Sequence, residues 1–264
     1  MISALIFTAG LVALIIGGET IVRAGSKLAA RIGVSPMVIG LTVVSLGTSA
    51  PEMAISINAA LRGNGELAIA NITGTNTLTL LLILGITALI APIKIQKPAI
   101  RLELPVMVIG ALALFVFALD LRLDVTDGIV IGITGIIYFV LLYRNSRQEM
   151  SEAVKDTTHR VGVQSLILLA GLIALIVGSD WMVTGAVEIA TALGVSEAVI
   201  GLTIVSIGTS APEIVTSIIA SIRKQRDLAV GNLLGSVIFN VSLVGAIAAM
   251  VAPGGIDLVA STNT

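Results

Sequence analysis

The chain has 264 residues, of which 56% are hydrophobic and 12% are charged, and its mean hydropathy is +1.08. A soluble domain carries about 25% charged residues and needs a wetted exterior, so this composition indicates an integral membrane protein. The net charge of −1 gives no indication of nucleic-acid binding. The absence of cysteine excludes disulfides, thiol catalysis and cysteine-ligated metals.

Eight apolar, charge-poor runs are long enough to cross a bilayer, which takes about 20 residues of helix. Their hydropathy is continuous, whereas the strands of a membrane barrel alternate between apolar and polar residues. We therefore predict an all-α integral membrane protein with eight transmembrane helices. In chain order the predicted spans are 2–22, 33–61, 66–90, 102–119, 127–143, 162–182, 194–222 and 228–252.

The basic residues divide unevenly between the two sets of loops that these spans create. Thirteen of the fifteen follow spans 1, 3, 5 and 7, and only Arg62 and Arg122 lie in the other loops. Because cytoplasmic loops carry the excess of Lys and Arg, the thirteen-residue side is predicted to be cytoplasmic. The prediction is a multi-pass protein of the inner or plasma membrane, with its N-terminus outside and the long loop 144–161 in the cytoplasm.

One segment occurs twice, 161 positions apart. Residues 33–52 (GVSPMVIGLTVVSLGTSAPE) and 194–213 (GVSEAVIGLTIVSIGTSAPE) are identical at sixteen of twenty positions. Five spans separate the copies, and an odd number inverts the second copy in the membrane, as in transporters built from inverted repeats. We predict a first five-helix repeat at 1–145, a cytoplasmic linker at 146–161, and a second, inverted repeat at 162–264. The second repeat holds three helices, so counterparts of spans 4 and 5 are expected to be absent.

Each copy places a glutamate, Glu52 or Glu213, deep inside an apolar span. An intramembrane carboxylate is costly and points to a functional site. A structural, hydrogen-bonded carboxyl is the alternative, which the repetition at equivalent positions disfavours. Hydroxyl side chains precede each glutamate by three or four residues and so share its helix face. These hydroxyl residues are Thr48, Ser49, Thr209 and Ser210.

A proline next to each glutamate is predicted to open the backbone. Pro51 and Pro212 have no N–H, so the carbonyls of Gly47 and Gly208 lose their helical partners and are expected to line a cavity. Carboxylate, hydroxyl and carbonyl oxygens are the ligands that hard cations such as Ca²⁺ and Na⁺ prefer. Any one of the hydroxyls, taken alone, is explained as well by helix packing.

The spans that follow the repeated segment carry a second group of polar residues. Thr75 and Thr79 lie one helical turn apart, and Ser236 and Asn240 occupy the equivalent places in the second copy. Another pair of equivalent residues, Glu19 and Asp180, lies near the ends of spans 1 and 6. We interpret these two acids as side chains that reach out to the membrane interface.

The two copies of G-T-S-A-P-E, each followed by a G/A-N-x-x-G-S/T stretch, resemble the α-repeats of the cation/calcium exchanger superfamily, and specifically the prokaryotic sodium/calcium antiporters. The resemblance covers almost the whole chain. It implies ten helices in two inverted repeats, with helices 1 and 6 sliding past the rest. It implies that Glu52 and Glu213 are the central carboxylates and that the motif hydroxyls, Thr75 and Ser236 are ligands. The Thr at position 79 departs from the Asn or Asp that is common in the family.

These inferences predict a secondary active transporter that exchanges Ca²⁺ for Na⁺ by alternating access around Glu52 and Glu213. Ca²⁺ and Na⁺ are its substrates, the lipid bilayer is its surroundings, and no cofactor, nucleic acid or ATP is expected. An enzyme is not expected, because no metal-binding His or nucleophile–base pair accompanies the glutamates. The expected state is a monomer or an oligomer of unspecified size. Two alternatives stay open: an antiporter coupled to H⁺ or specific for another divalent cation, and a truncated cation-binding membrane protein that does not transport.

Overall fold

The structure, a computed structural model, describes residues 2–93, 95, 97–150 and 158–258. Within these residues, six helices are long and apolar enough to cross a membrane singly, and two bent pairs of shorter helices bring the number of spans to eight. We number them span 1 to span 8 in chain order. The spans are Ile2–Ile32, Pro36–Thr48 with Ala50–Leu61, Gly65–Ile90, Ala99–Asp120, Val125–Ser146, Val161–Ala192, Thr203–Thr209 with Ala211–Ile222, and Arg226–Val251.

The helical segments within the spans are as follows. The α-helices are α1 Ile2–Ile32, α2 Pro36–Ile39, α3 Ser45–Thr48, α4 Ala50–Leu61, α5 Gly65–Leu78, α6 Leu84–Ile90, α7 Lys97–Arg101, α8 Glu103–Phe117, α9 Val125–Met150, α10 Thr158–Ala192, α11 Glu197–Ile200, α12 Ser206–Thr209, α13 Ala211–Ile222, α14 Arg226–Phe239 and α15 Ala246–Val251. π-helical turns occupy Gly40–Val44, Thr79–Ile83, Gly201–Val205 and Asn240–Gly245, and a 3-10 turn occupies Ala118–Asp120.

The predicted all-α membrane fold with eight helices is confirmed. The predicted boundaries hold to within a few residues except at the ends of spans 1 and 6 and at the start of span 7, which is Thr203 where residue 194 is predicted. Span 1 continues to Ile32 and span 6 to Ala192, each about ten residues past its predicted end. In span 1 the extension has two faces: Leu28 and Ala29 are buried, whereas Lys27 is not. A charged residue on the outer face therefore does not end the helix.

Spans 1 and 6 pack against each other along their length through glycines. A Cβ added at Gly17 would lie 2.9 Å from the carbonyl oxygen of Gly171, and one added at Gly178 would lie 2.7 Å from the backbone nitrogen of Leu14. No side chain fits at these points, so the two backbones come close enough for tight van der Waals contact, as small residues allow in membranes.

Span 8 is the most buried helix of the described chain. In its most apolar stretch, 78% of the residues are buried. The corresponding share is 28% in span 3, its counterpart in the first repeat. Span 2 packs on one side of span 8 and span 5 packs on another. At the contact with span 5, a Cβ added at Gly128 would lie 2.8 Å from the Ala246 carbonyl oxygen. The two repeat-related helices therefore have unequal neighbours.

A short β-ladder supplements the all-α prediction. Arg122–Leu123 (β1) pairs antiparallel with Ile256–Asp257 (β2), with Leu123 opposite Ile256 and both side chains fully buried. This ladder joins the loop between spans 4 and 5 to the segment that follows span 8. Two predicted regions lie partly outside the described residues: 151–157 of the linker 146–161, and 259–264 of the second repeat.

Candidate cation site

Glu52 and Glu213 meet at the centre of the helix bundle through reciprocal hydrogen bonds. Ser49 Oγ donates to Glu213 Oε1 at 2.9 Å, and Ser210 Oγ donates to Glu52 Oε1 at 3.2 Å. Glu52 is 1% exposed and Glu213 is 0% exposed. Each repeat therefore supplies the hydroxyl that orients the carboxylate of the other, and four of the predicted site residues form one connected group.

The local backbone explains why these residues point inwards. The α-helix breaks at Ser49, with φ −81° and ψ 8°, and at its counterpart Ser210, with φ −86° and ψ 4°. Pro51 and Pro212 lie in the first turn of the next helix, where their missing N–H costs no hydrogen bond. Spans 2 and 7 consequently bend by 50° and 56°, and each glutamate lies in the first turn after a bend.

Two asparagines tie the spans that carry the glutamates to the spans that follow. Asn71 Nδ2 donates to Ser56 Oγ at 2.9 Å, and Asn232 Nδ2 donates to Ser217 Oγ at 3.1 Å. Asn232 also accepts a hydrogen bond of 3.1 Å from Thr48 Oγ1. Ser56 and Ser217 were not predicted as site residues. They are 161 positions apart, as Asn71 and Asn232 are, so the repeat offset could have found them.

Five buried oxygen atoms of the predicted site residues have no hydrogen-bond partner in the part of the chain that the structure describes. A buried polar atom left unpaired is costly, so these atoms are candidates for contacts with a ligand. These atoms are Glu52 Oε2, Glu213 Oε2, Thr79 Oγ1, Ser236 Oγ and Asn240 Oδ1. All five are hard oxygen donors of the kind that bind Ca²⁺ or Na⁺.

The donor set contains only two carboxylates. No group of three or more His, Cys, Asp or Glu side chains suited to a metal occurs within the described ranges. The other donors are hydroxyl and amide groups, and Asn240 Nδ2 is already engaged, donating to Asn76 Oδ1 at 3.1 Å. This hydrogen bond assigns the nitrogen and oxygen of the Asn240 amide and leaves Asn240 Oδ1 available as a ligand.

Thr79 and Asn240 each begin a π-helical turn, as do Gly40 and Gly201. Both pairs are separated by 161 residues, so the turns belong to the repeat. A π-turn widens the helix locally and is common at functional sites. Hydropathy gives no signal for such a turn, and none of the four was predicted.

The predicted site residues Thr75 and Thr209 lie along a crevice between span 3 and the first half of span 7, which also contains Ser210. The crevice has a volume of about 150 Å³ and is lined by Asn71, Gly74, Thr75, Ser206, Thr209 and Ser210, with Ala70 and Leu78. Thr209 is half-buried and donates to the Ser206 carbonyl at 3.1 Å. These residues line a route that leads to Ser210 and hence to Glu52.

The two glycine carbonyls, at Gly47 and Gly208, differ in their side-chain hydrogen-bond partners. The Gly208 carbonyl oxygen accepts a hydrogen bond of 2.5 Å from Ser179 Oγ of span 6, which satisfies the group that Pro212 leaves unpaired. The counterpart of Ser179 in the first repeat is Gly18, which has no hydroxyl, so Gly47 has no such donor. A carbonyl oxygen has two lone pairs, so this hydrogen bond leaves one for a cation, and the ligand role of Gly47 and Gly208 stays a prediction.

The two repeat-related interfaces around the site differ in closeness. Between spans 2 and 8, a Cβ added at Gly40 would lie 2.6 Å from the Leu228 carbonyl oxygen, and one added at Gly235 would lie 2.5 Å from Ser45 Oγ. At the equivalent Gly201 and Gly74, no atom of the described residues lies within 4 Å of the added Cβ. The interface of spans 2 and 8 is closed, and that of spans 7 and 3 is open.

The sequence profile of the family described as sodium/calcium exchanger protein matches residues 2–145 and 163–263. The chain belongs to this family. Its members are transporters rather than enzymes, so the exchanger described here is a multi-pass membrane protein of the cation/calcium exchange class. Paired carboxylates in inverted repeats are consistent with that class.

Relatives of this exchanger cover nearly its whole length. The inner membrane protein YrbG of Escherichia coli K12 is 34% identical, over 94% of this chain and 79% of YrbG. The sodium/calcium exchanger MaX1 of Methanosarcina acetivorans is 28% identical, over 91% of this chain and 80% of its own. The solved structure of the sodium-calcium exchanger NCX_Mj, soaked with 10 mM Na⁺ and no Ca²⁺, matches with a TM-score of 0.86 at 30% identity, covering 97% and 84% of the two chains.

Proposed function

We propose that this exchanger moves Ca²⁺ against Na⁺ through one mid-membrane site built on Glu52 and Glu213. The observation that carries the proposal is the pair of buried glutamates joined by reciprocal hydrogen bonds, together with five buried oxygens of predicted site residues from both repeats that have no partner among the described residues. Thr48, Ser49 and Ser210 position the carboxylates and, with Thr79, Ser236 and Asn240, complete the donor set. The names of MaX1 and NCX_Mj, both sodium/calcium exchangers, support the choice of ions.

Charge explains why the two ions exclude each other. Two ionised carboxylates carry −2, which one Ca²⁺ neutralises, and leaving such a pair uncompensated in a buried site is costly. The same oxygens can hold Na⁺ ions instead. A shared set of ligands makes the two cargoes compete, and competition for one site that faces each side in turn is the basis of exchange.

Alternating access follows from the inverted repeats. The proposed units are 1–145 and 162–264, joined by the linker 146–161. The repeat relates the closed interface of spans 2 and 8 to the open interface of spans 7 and 3. If the first opened and the second closed, the site would become accessible from the other side of the membrane. With the thirteen basic residues in the cytoplasm, the N-terminus and the open crevice face outwards and the closed interface faces the cytoplasm.

The function is tested by Ca²⁺ uptake into proteoliposomes that hold purified protein. We expect an outward Na⁺ gradient to drive uptake and an equal K⁺ gradient to leave it at the protein-free level. Uptake driven by a pH gradient without Na⁺ would instead establish the H⁺-coupled alternative. Retained Ca²⁺ binding with no flux under either gradient would establish the alternative of a cation-binding protein that does not transport.

Removing a hydroxyl that orients a carboxylate is expected to weaken Ca²⁺ binding without abolishing it. A hydrogen bond to a charged group contributes about 1.5–3 kcal/mol, so Ser49→Ala or Ser210→Ala should raise the KM for Ca²⁺ roughly 10- to 100-fold. Ser242→Ala is the matched control, because Ser242 is buried and donates only to the Ile238 carbonyl, outside the site. Equal KM values for all three variants would argue against the assignment of these serines.

The proposed orientation is tested by single cysteines in the naturally cysteine-free chain. In right-side-out cells, an impermeant thiol reagent is expected to label Arg62→Cys, which follows span 2. It should label Arg144→Cys, at the end of span 5, only after the membrane is permeabilised. Both native side chains are exposed in the structure. The reverse pattern would invert the assignment of the two sides.

A further inference from the structure

Four charged residues outside the site form two acid–base pairs that the repeat relates. Adding 161 to Glu19 gives Asp180, and adding 161 to Arg62 gives Arg223. Each acid lies in a long peripheral helix, span 1 or span 6. Each arginine follows the last residue of a bent span, span 2 or span 7. Inversion of the repeats places the two pairs near opposite faces of the membrane.

The first pair is formed. Arg223 Nη2 lies 2.6 Å from Glu19 Oε1, and Arg223 Nε donates to Glu19 Oε2 at 3.0 Å, so the guanidinium contacts both carboxylate oxygens. Arg23, on the next turn of span 1, also donates to Glu19. The Glu19 side chain is 25% exposed. A two-point contact of this kind is specific in geometry and fixes span 1 against the end of span 7.

The second pair is not formed. Asp180 and Arg62 are both exposed, and neither makes an ion pair with any residue in the described ranges. Arg23 has no charged counterpart, because position 184 is a threonine. Two residues that match a bonded pair by exact repeat spacing therefore stand apart on the other side of the molecule.

The helices that carry the formed ion pair are packed together, and within the described part of the chain those that carry the separated pair are not. Span 1 packs on the second half of span 7, where a Cβ added at Gly18 would lie 2.9 Å from the side chains of Val215 and Ile219. The repeat-equivalent contact would be made by span 6 on Ala50–Leu61, the second half of span 2. Among the described residues, span 6 makes no comparable contact there. The formed ion pair thus marks a closed contact and the separated pair an open one.

We propose that Glu19–Arg223 and Asp180–Arg62 are alternating latches, one closed in each of the two access states. The inference rests on the alternating-access part of the proposed function. When spans 1 and 6 move together past the rest of the bundle, the Glu19–Arg223 contact breaks and Asp180 reaches Arg62. Replacing one ion pair with an equivalent one keeps the two states close in free energy, which reversible exchange requires.

A cysteine in the open crevice reports which state is populated. Ala70 is exposed in the crevice, whereas its counterpart Gly231 is packed so closely against span 2 that an added Cβ would clash with the Met37 carbonyl. In the opposite state position 70 is expected to lie against span 7 and become protected. The rate at which an impermeant maleimide labels Ala70→Cys in proteoliposomes, without Na⁺ or Ca²⁺, therefore measures the ratio of the two states.

The four charge-removing variants should divide into two groups in this background. Partly exposed ion pairs contribute up to about 1 kcal/mol, so Glu19→Gln and Arg223→Gln should shift the ratio roughly threefold towards the protected state. Asp180→Asn and Arg62→Gln should shift it to a similar extent towards the accessible state. The exchanged pair Glu19→Arg with Arg223→Glu should return the ratio towards the unsubstituted value.

Lys224→Gln is the matched control, because it removes the cation next to Arg223 and should leave the labelling rate unchanged. Size-exclusion profiles identify any variant that fails to fold. If Glu19→Gln or Arg223→Gln fails to fold, the other variant tests the same ion pair. Shifts in one common direction, or no shift in either group, overturn the proposal. The readout involves no flux, so failure of the latches is distinct from failure of Na⁺/Ca²⁺ exchange, which Glu52→Gln tests separately.

Discussion

Replacing Glu52 or Glu213 with glutamine is expected to abolish Na⁺-driven Ca²⁺ uptake. The substitution keeps the volume of the side chain but leaves a single negative charge to face a divalent cation. Ca²⁺ affinity depends on the number of charged ligands, so we expect uptake to fall roughly 100-fold or more in either variant. Initial rates of Ca²⁺ uptake at matched protein content measure the effect.

Glu103→Gln provides the matched control for this experiment. Glu103 is also a buried glutamate, 2% exposed, with Oε2 unpaired among the described residues, but it lies at the start of α8, away from the site. Its substitution should leave uptake within about twofold of the unsubstituted protein, the spread usual for context-dependent effects. Uptake that survives in Glu52→Gln and Glu213→Gln would remove both residues from the site.

Alanine at Gly40 and alanine at its counterpart Gly201 are expected to have different effects. At Gly40 the new Cβ would lie 2.6 Å from the Leu228 carbonyl oxygen and 2.9 Å from the Asn232 nitrogen, both backbone atoms that cannot rotate away. Overpacking of this kind costs about 1–3 kcal/mol. The melting temperature of Gly40→Ala in detergent should fall by roughly 2–4 °C for each kcal/mol.

Gly201→Ala should leave the melting temperature unchanged, because no atom of the described chain lies within 4 Å of its added Cβ. It should nevertheless slow exchange, since Gly201 takes the close contact of Gly40 when the opposite interface closes. Gly162→Ala, at another open helical position, is the control and should change neither quantity. Equal melting temperatures for Gly40→Ala and Gly201→Ala would contradict the difference between the two interfaces.

The spans and the paired glutamates could be predicted from sequence because each rests on a strong local signal. Long continuous apolar runs indicate membrane helices. A carboxylate within such a run is costly, and its repetition at the equivalent position indicates a functional role. The bends at Ser49 and Ser210 follow from the adjacent prolines by the same local logic. The reciprocal hydrogen bonds of these serines to the opposite glutamates link residues about 160 positions apart, and these contacts could not be predicted from either copy alone.

Other features depended on contacts that hydropathy does not encode. Gly208 is predicted to offer its carbonyl to a cation, and Ser179 of span 6 donates a hydrogen bond to that same carbonyl. Glu19 was interpreted as an acid that extends to the interface, whereas it is bound by Arg223 of the distant span 7. Ser179 belongs to the same repeat as Gly208, whereas Arg223 and Glu19 come from different repeats. The offset of 161 residues relates the positions, but not the state in which each contact forms.

The most direct test of the central claim is competition between the two ions at equilibrium. Calorimetric titration of the purified protein with Ca²⁺ at increasing Na⁺ measures whether both ions use the same carboxylates. The account predicts that Na⁺ raises the apparent Kd for Ca²⁺ progressively and that Glu52→Gln with Glu213→Gln eliminates Ca²⁺ binding. Unchanged Ca²⁺ binding in the doubly substituted protein, or a Kd independent of Na⁺, would contradict a shared site at these two glutamates.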